Sequence, residues 1–77
     1  MYDALKKLKA GEVLNLGGIL VKIDEGDLKD GDLYVAERNT GPHLLTARFV
    51  DHTRGCVFPT TIDYPFDLYE CIKVCEA

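Results

Sequence analysis

The stretch from Asp32 to Val50 constrains this chain more than any other, because two alternating runs flank a single turn. Period-two alternation puts successive side chains on opposite faces of a strand, so the two runs read as a β-hairpin. With the loop drawn from Asn39 to His43, to take up Gly41 and Pro42, Glu37 faces Leu45, Val35 faces Ala47 and Leu33 faces Phe49. Leu33, Val35, Leu45, Ala47 and Phe49 then share a core face, while Tyr34, Ala36, Arg38, Leu44, Thr46 and Arg48 share the outer one. A slip of one residue exchanges the two sets, so register and burial stand or fall together.

The flanking segments read as follows. Tyr2 to Lys9 fits a short helix, with Met1, Leu5 and Leu8 on one stripe, lysines late, and Gly11 placed for a left-handed C-terminal cap. Val13–Leu16 and Ile19–Ile23 form a hairpin on Gly17-Gly18, one bent strand being the alternative. Asp24 to Gly31 is an acidic connection, and Cys56 to Phe58 is a short strand stopped by Pro59. Asp67 to Val74 reads either as a helix opened by a capping box or as a strand. The strand is taken, because a helix has barely two turns there and Ile72 and Val74 suit a pleated surface.

The expected fold is α+β, one domain over residues 1–77: a short N-terminal helix packed on a small, bent antiparallel sheet or partly open barrel of about five strands. Its core is Leu33, Val35, Leu45, Ala47, Phe49, Ile72 and Val74 under Leu5 and Leu8. On that reading Phe49→Ala costs about 3–5 kcal/mol.

A chain of 77 residues buries one small core, which favours a homo-oligomer. The net charge of −4 opposes general nucleic-acid binding, which depends on neutralising phosphates. Charge is nevertheless reversed between Ala36 and Arg54, where Arg38, Arg48 and Arg54 stand against Glu37 and Asp51, with His43 and His52 alongside. That segment could hold a local anion site. The odd cysteine count (Cys56, Cys71, Cys75) and the absence of an apolar leader point to a reducing cytoplasm. No apolar run is long enough for a membrane-spanning helix.

Motifs that carry chemistry are sparse. Asp24, Glu25, Asp27, Asp30 and Asp32 lack the ligand spacing of a calcium loop and read as solvated surface. On a strand, Cys71 and Cys75 lie about 13 Å apart, too far for one disulfide or one zinc ion, so reduced thiols are expected. Cys56 with His43 or His52 lacks any nucleophile signature, and both histidines read as exposed turn residues. The expected site is instead the outer hairpin face: Tyr34, Arg38 and Arg48, joined by Asn39, Thr40 and Arg54 from nearby turns. There guanidinium groups beside an aromatic ring could hold a phosphate and stack a base. An ordinary cross-strand Tyr–Arg contact is the competing reading. No catalytic residue, metal or cofactor is expected.

The run Gly31 to Thr46, with Tyr64-Pro65-Phe66-Asp67-Leu68-Tyr69-Glu70-Cys71 after it, resembles a group of small tailed-bacteriophage proteins of unassigned activity. Ala4 to Val13 and Asp67 to Val74 resemble the two ends of phage anti-Thoeris sponge proteins, although those usually carry tryptophans and this chain has none. The second resemblance implies a small oligomer with a short helix and a five-stranded sheet that sequesters a cyclic ADP-ribose-type signal. The function expected is therefore a phage-encoded anti-defence protein that sequesters an anionic, cyclic nucleotide in the host cytoplasm. The alternatives are a blocker of a host enzyme or defence protein by direct contact, with Asp24 to Asp32 as a nucleic-acid mimic, and a minor structural phage protein.

Overall fold

Gly17 and Gly18 take φ of 63° and 98°, the positive pair that a two-residue hairpin turn of type I′ requires. They fold β1 (Val13–Leu16) onto β2 (Ile19–Ile23) with Leu16 opposite Ile19, as the sequence leads one to expect. The computed structural model describes residues 8–77 and continues from this hairpin into a seven-stranded antiparallel sheet. The remaining strands are β3 (Leu33–Arg38), β4 (Gly41–Asp51), β5 (Cys56–Pro59), β6 (Phe66–Asp67) and β7 (Cys71–Glu76). Their order is β1-β2-β7-β3-β4-β5-β6, so the last strand of the chain lies between β2 and β3.

The α+β expectation is overturned: the described residues are nearly all β, a half-barrel of seven strands, with one 3-10 turn at Leu68–Glu70. Of the expected helix, residues 1–7 lie outside the described residues, and Leu8 and Lys9 are not helical. The physical reason lies in the next turn. Gly11, at φ 88°, donates its N–H to the Ile23 carbonyl, and the Glu12 carbonyl accepts from Ile23. The segment thus lengthens the β1–β2 ladder, while Leu8 packs into the core without helical periodicity.

The central hairpin forms, but in a different register. The turn is Asn39-Thr40 alone, and Arg38 pairs with Gly41, Val35 with Leu44, Tyr34 with Leu45 and Leu33 with Thr46. Asn39 and Thr40 keep negative φ while Gly41 takes 107°, so the one positive φ falls on the glycine just after the two-residue turn and no longer loop is needed. Pro42 then lies inside β4. It is tolerated there because β5 pairs with β4 only from Ala47 onward, leaving this part of β4 without a second neighbour. Gly41→Ala, which forces a side chain into that φ, is expected to lower unfolding free energy on the order of 1–3 kcal/mol in a urea melt.

This odd-numbered shift of register sends alternate residues to the opposite face. Tyr34, Ala36, Leu45 and Ala47 pack with Leu28, Val50, Val57 and Phe66 on one side of the sheet. Val35, Val21, Ile23 and Val74 pack on the other, with Leu14, Leu16, Leu33, Leu44 and Ile72 around them. Both faces of β3 are therefore covered, and Tyr34, Val35 and Ala36 are buried in succession. Of the terminal segment Asp67 to Val74, read from sequence as one strand, Cys71 to Val74 does lie in β7, but Leu68–Glu70 forms the 3-10 turn that separates β6 from β7; all three cysteines are free thiols.

The acidic connection does more than face solvent. Asp24 and Asp32 flank Lys73 at 3.8 and 3.5 Å, Asp32 also accepts from the Lys29 N–H at 2.8 Å, and Asp30 accepts from the Val50 N–H at 2.7 Å. Three of the five carboxylates between Asp24 and Asp32 tie this segment to the sheet.

Candidate functional site

The six residues expected to form one site divide into three groups. Tyr34 is fully buried, its ring edge-on to Phe66 at 6.4 Å and its hydroxyl without a hydrogen bond among the described residues, so it contributes nothing to a surface site. Burial, and secondarily the charge on Cys71, raise its pKa above that of an ordinary tyrosine. Arg38, Asn39 and Thr40 sit at the β3–β4 turn, where Arg38 donates to the Tyr64 hydroxyl at 3.2 Å and the Thr40 hydroxyl lies 2.6 Å from His43 Nε2. Arg48 and Arg54 lie toward the far end of β4. By strand rise the two arginine groups are about 20 Å apart, so one small ligand cannot bridge them within a single chain.

At the far end the backbone itself creates a surface that alternation does not predict. β4 and β5 pair as Ala47 with Pro59 and Phe49 with Phe58, which leaves Arg48 as an extra residue in a β-bulge. A bulge breaks the two-residue period locally. Leu45, Ala47 and Val50 remain buried while the consecutive Arg48 and Phe49 both face outward. Phe49, expected in the core, is 47% exposed.

The exposed ring is ordered by its neighbours. Phe49 and Phe58 stack across the two strands with centroids 6.1 Å apart and planes inclined by 28°. The Arg48 guanidinium carbon sits 5.9 Å from the Phe58 centroid, within the range of a cation–π contact. The turn between the strands supplies Arg54, whose side chain is 81% exposed and only loosely held by Asp51 at 3.8 Å. Asp51 is committed to the turn, its Oδ1 accepting from the Thr53 and Arg54 N–H groups, both at 3.1 Å. Arg48, Phe49, Asp51, Arg54 and Phe58 together line an open groove of about 330 Å³.

Such a groove can take a planar ring on Phe49 and an anion between the two guanidinium groups. Sequence reasoning found Arg48 and Arg54 but missed Phe49 and Phe58. The available signal was the adjacency of Phe49 and Val50, two apolar residues that cannot both face one core without a break in period.

The other chemistry considered in the sequence does not assemble. His43 lies near the start of β4 and Cys56 pairs with Asp51 near its end, so they form no nucleophile–base pair. His52 is exposed in its turn, whereas His43 is half-buried in β4. Cys71 is held in its thiol form, its pKa pushed up to about 12 by burial and then by Glu70 and Asp67, and it donates to the Asp67 carbonyl at 3.4 Å. Among the described residues no cluster of three or more His, Cys, Asp or Glu side chains could hold a metal ion, and no helix is long and apolar enough to cross a membrane. Comparison with protein families, curated proteins and solved structures returns no match to this chain.

Proposed function

We propose that this protein works by binding, not catalysis, and that it sequesters an anionic nucleotide on the β4 bulge, as expected of a phage-encoded anti-defence sponge. The observation that carries this reading is the cluster around Phe58, with the Arg48 guanidinium over its ring, Phe49 stacked on it and exposed, and Arg54 lining the same groove. A base can stack on the exposed Phe49 ring, and base–aromatic stacking is worth about 1–3 kcal/mol. Phosphate oxygens are then partners for Arg48 and Arg54, two guanidinium groups against the single, turn-bound carboxylate of Asp51. The groove is open on one side, so a second copy in a homo-oligomer would complete the enclosure that a sponge needs.

Thermal shift and calorimetry against cyclic dinucleotides, cyclic oligonucleotides and ADP-ribose derivatives test the reading. A ligand at a hundred times its Kd is expected to add about 2.7 kcal/mol of stability. Phe49→Ala and Arg48→Ala are each expected to weaken that binding by about tenfold or more. Because Phe49 is exposed, its replacement is now expected to change unfolding free energy by under about 1 kcal/mol, in contrast to a core phenylalanine. Equal binding by both variants, or no ligand in the panel, would overturn the nucleotide reading.

One observation favours a second reading, direct blocking of a host protein. Val13, Ile19 and Leu20 are more than half exposed on the first hairpin, whose β1 strand is an edge of the sheet. Mimicry of nucleic acid by Asp24 to Asp32 draws less support, since Asp24, Asp30 and Asp32 are engaged within the fold.

A further inference from the structure

The β3–β4 turn and residues 64–70 enclose a cleft of about 630 Å³, larger than the groove on the β4 bulge and separate from it. Its wall carries Glu37 and Arg38 from the end of β3, Asn39 from the turn, Tyr64 from the long loop, Asp67 from β6 and Glu70 from the 3-10 turn. The Tyr64 ring is held in place on two sides: it stacks on Phe66 at 5.6 Å with planes inclined by 24°, and its hydroxyl accepts from Arg38 at 3.2 Å. It is nevertheless 52% exposed. Glu37 and Glu70, each one residue past the Ala36–Cys71 pair that ends the β3–β7 ladder, both line the cleft. One Glu37 oxygen is closed off from solvent and has no hydrogen-bond donor among the described residues.

Each simple class of charged or apolar ligand meets an obstacle here. An anion faces three carboxylates against a single guanidinium. An organic cation is drawn by the surplus of carboxylates but must lie against that same guanidinium, which Tyr64 holds in the wall. An apolar molecule would strand the polar side chains of the wall without water. A neutral polyol fits all of them, since each hydroxyl both donates and accepts. Glu37, Asp67 and Glu70 supply acceptors, Arg38 and Asn39 supply donors, and the flat C–H face of a sugar ring can lie on the open side of Tyr64. We propose that this cleft is a binding site for a neutral saccharide, independent of the nucleotide groove.

Amide NMR titration of the full chain decides it, using glucose, galactose, N-acetylglucosamine, ribose, maltose and chitobiose at about 20 mM, well above a millimolar Kd. Spermidine and inorganic phosphate serve as the cationic and anionic probes. At least one saccharide is expected to shift residues 37–40 and 64–70 in a saturable way. Tyr64→Ala and Glu37→Gln each weaken this by about tenfold, the loss of one ring contact or one charged acceptor. Tyr64→Phe, which keeps the ring, loses less, and Arg48→Ala leaves the saccharide titration unchanged. Spectral dispersion reports that each variant is folded. The proposal is overturned if no saccharide in the panel perturbs these amides, if Tyr64→Ala titrates like the parent, or if spermidine or phosphate binds there and the saccharides do not.

Discussion

Tyr34→Ala is expected to lower the unfolding free energy by about 3–5 kcal/mol, whereas Tyr34→Phe is expected to leave it unchanged or raise it. Tyr34 lies on β3 between β4 and β7, opposite Leu45 and Lys73, and its ring is sealed among Leu28, Val57 and Phe66. Truncation removes a ring's worth of contacts from a close-packed interior and leaves a cavity that the flanking strands cannot close. A domain of this size has roughly 4–12 kcal/mol of total stability, so the loss is a large fraction of it. The hydroxyl acts in the opposite sense. It is buried without a partner among the described residues, and such a group costs about 1–3 kcal/mol of desolvation that phenylalanine avoids. Urea melts of the two variants check both signs. A Tyr34→Phe protein destabilised by more than about 1 kcal/mol would show that the hydroxyl is hydrogen-bonded after all.

Alkaline pH is the second strong lever. Burial, followed by the charge on Cys71, raises the Tyr34 pKa above its ordinary value, and burial, followed by Glu70 and Asp67, pushes Cys71 from 9.0 to about 12. Between pH 9 and 12 the unfolded chain has released the Cys71 proton while the folded chain keeps it. Fewer protons bound in the unfolded state means that stability falls as pH rises, by up to about 1.4 kcal/mol per pH unit for each such group. Tyr34 adds the same sign from its ordinary value of 10.0 upward. Stability is therefore expected to be unaffected by these two groups below about pH 8 and to drop through pH 9–11. Thermal melts over this range, repeated on Tyr34→Phe and Cys71→Ala, isolate the two contributions, because each variant should show a shallower decline. Identical slopes in parent and variants would contradict the burial of both groups.

The parts of the fold legible in the sequence are those fixed by local chemistry. Gly17-Gly18 dictates its own turn, and Ile72 and Val74 mark a terminal strand that tertiary pairing then seats between β2 and β3. Sequence and structure part where a local rule has two outcomes. A loop from Asn39 to His43 takes up Gly41-Pro42 and needs no primed turn, yet an unpaired stretch of β4 tolerates Pro42, and Gly41 alone provides the positive φ. The longer loop inverts the faces of the hairpin, turning Tyr34 outward and Phe49 inward, opposite to where the structure places them. The non-helical Leu8 and Lys9 lead into a ladder extension by Gly11 and Glu12, which requires β2 as a partner and has no local signature.

The candidate sites were legible in their cations and not in their aromatics. Arg48 and Arg54 stand out against an acidic background, but their rings depend on a bulge between Ala47 and Phe49 that only the pairing with β5 defines. The cleft joins Arg38 to Tyr64, 26 residues later in the chain, and such closure leaves no trace in periodicity.

The β4 bulge as a nucleotide platform is tested most directly by amide NMR titration of the full chain with the same cyclic and ADP-ribose nucleotides. The result predicted is saturable perturbation of Arg48, Phe49, Asp51, Arg54 and Phe58, with residues 37–40 and 64–70 unmoved and the response lost in Phe49→Ala. Perturbations centred away from the bulge, or none with any nucleotide in the panel, would contradict it.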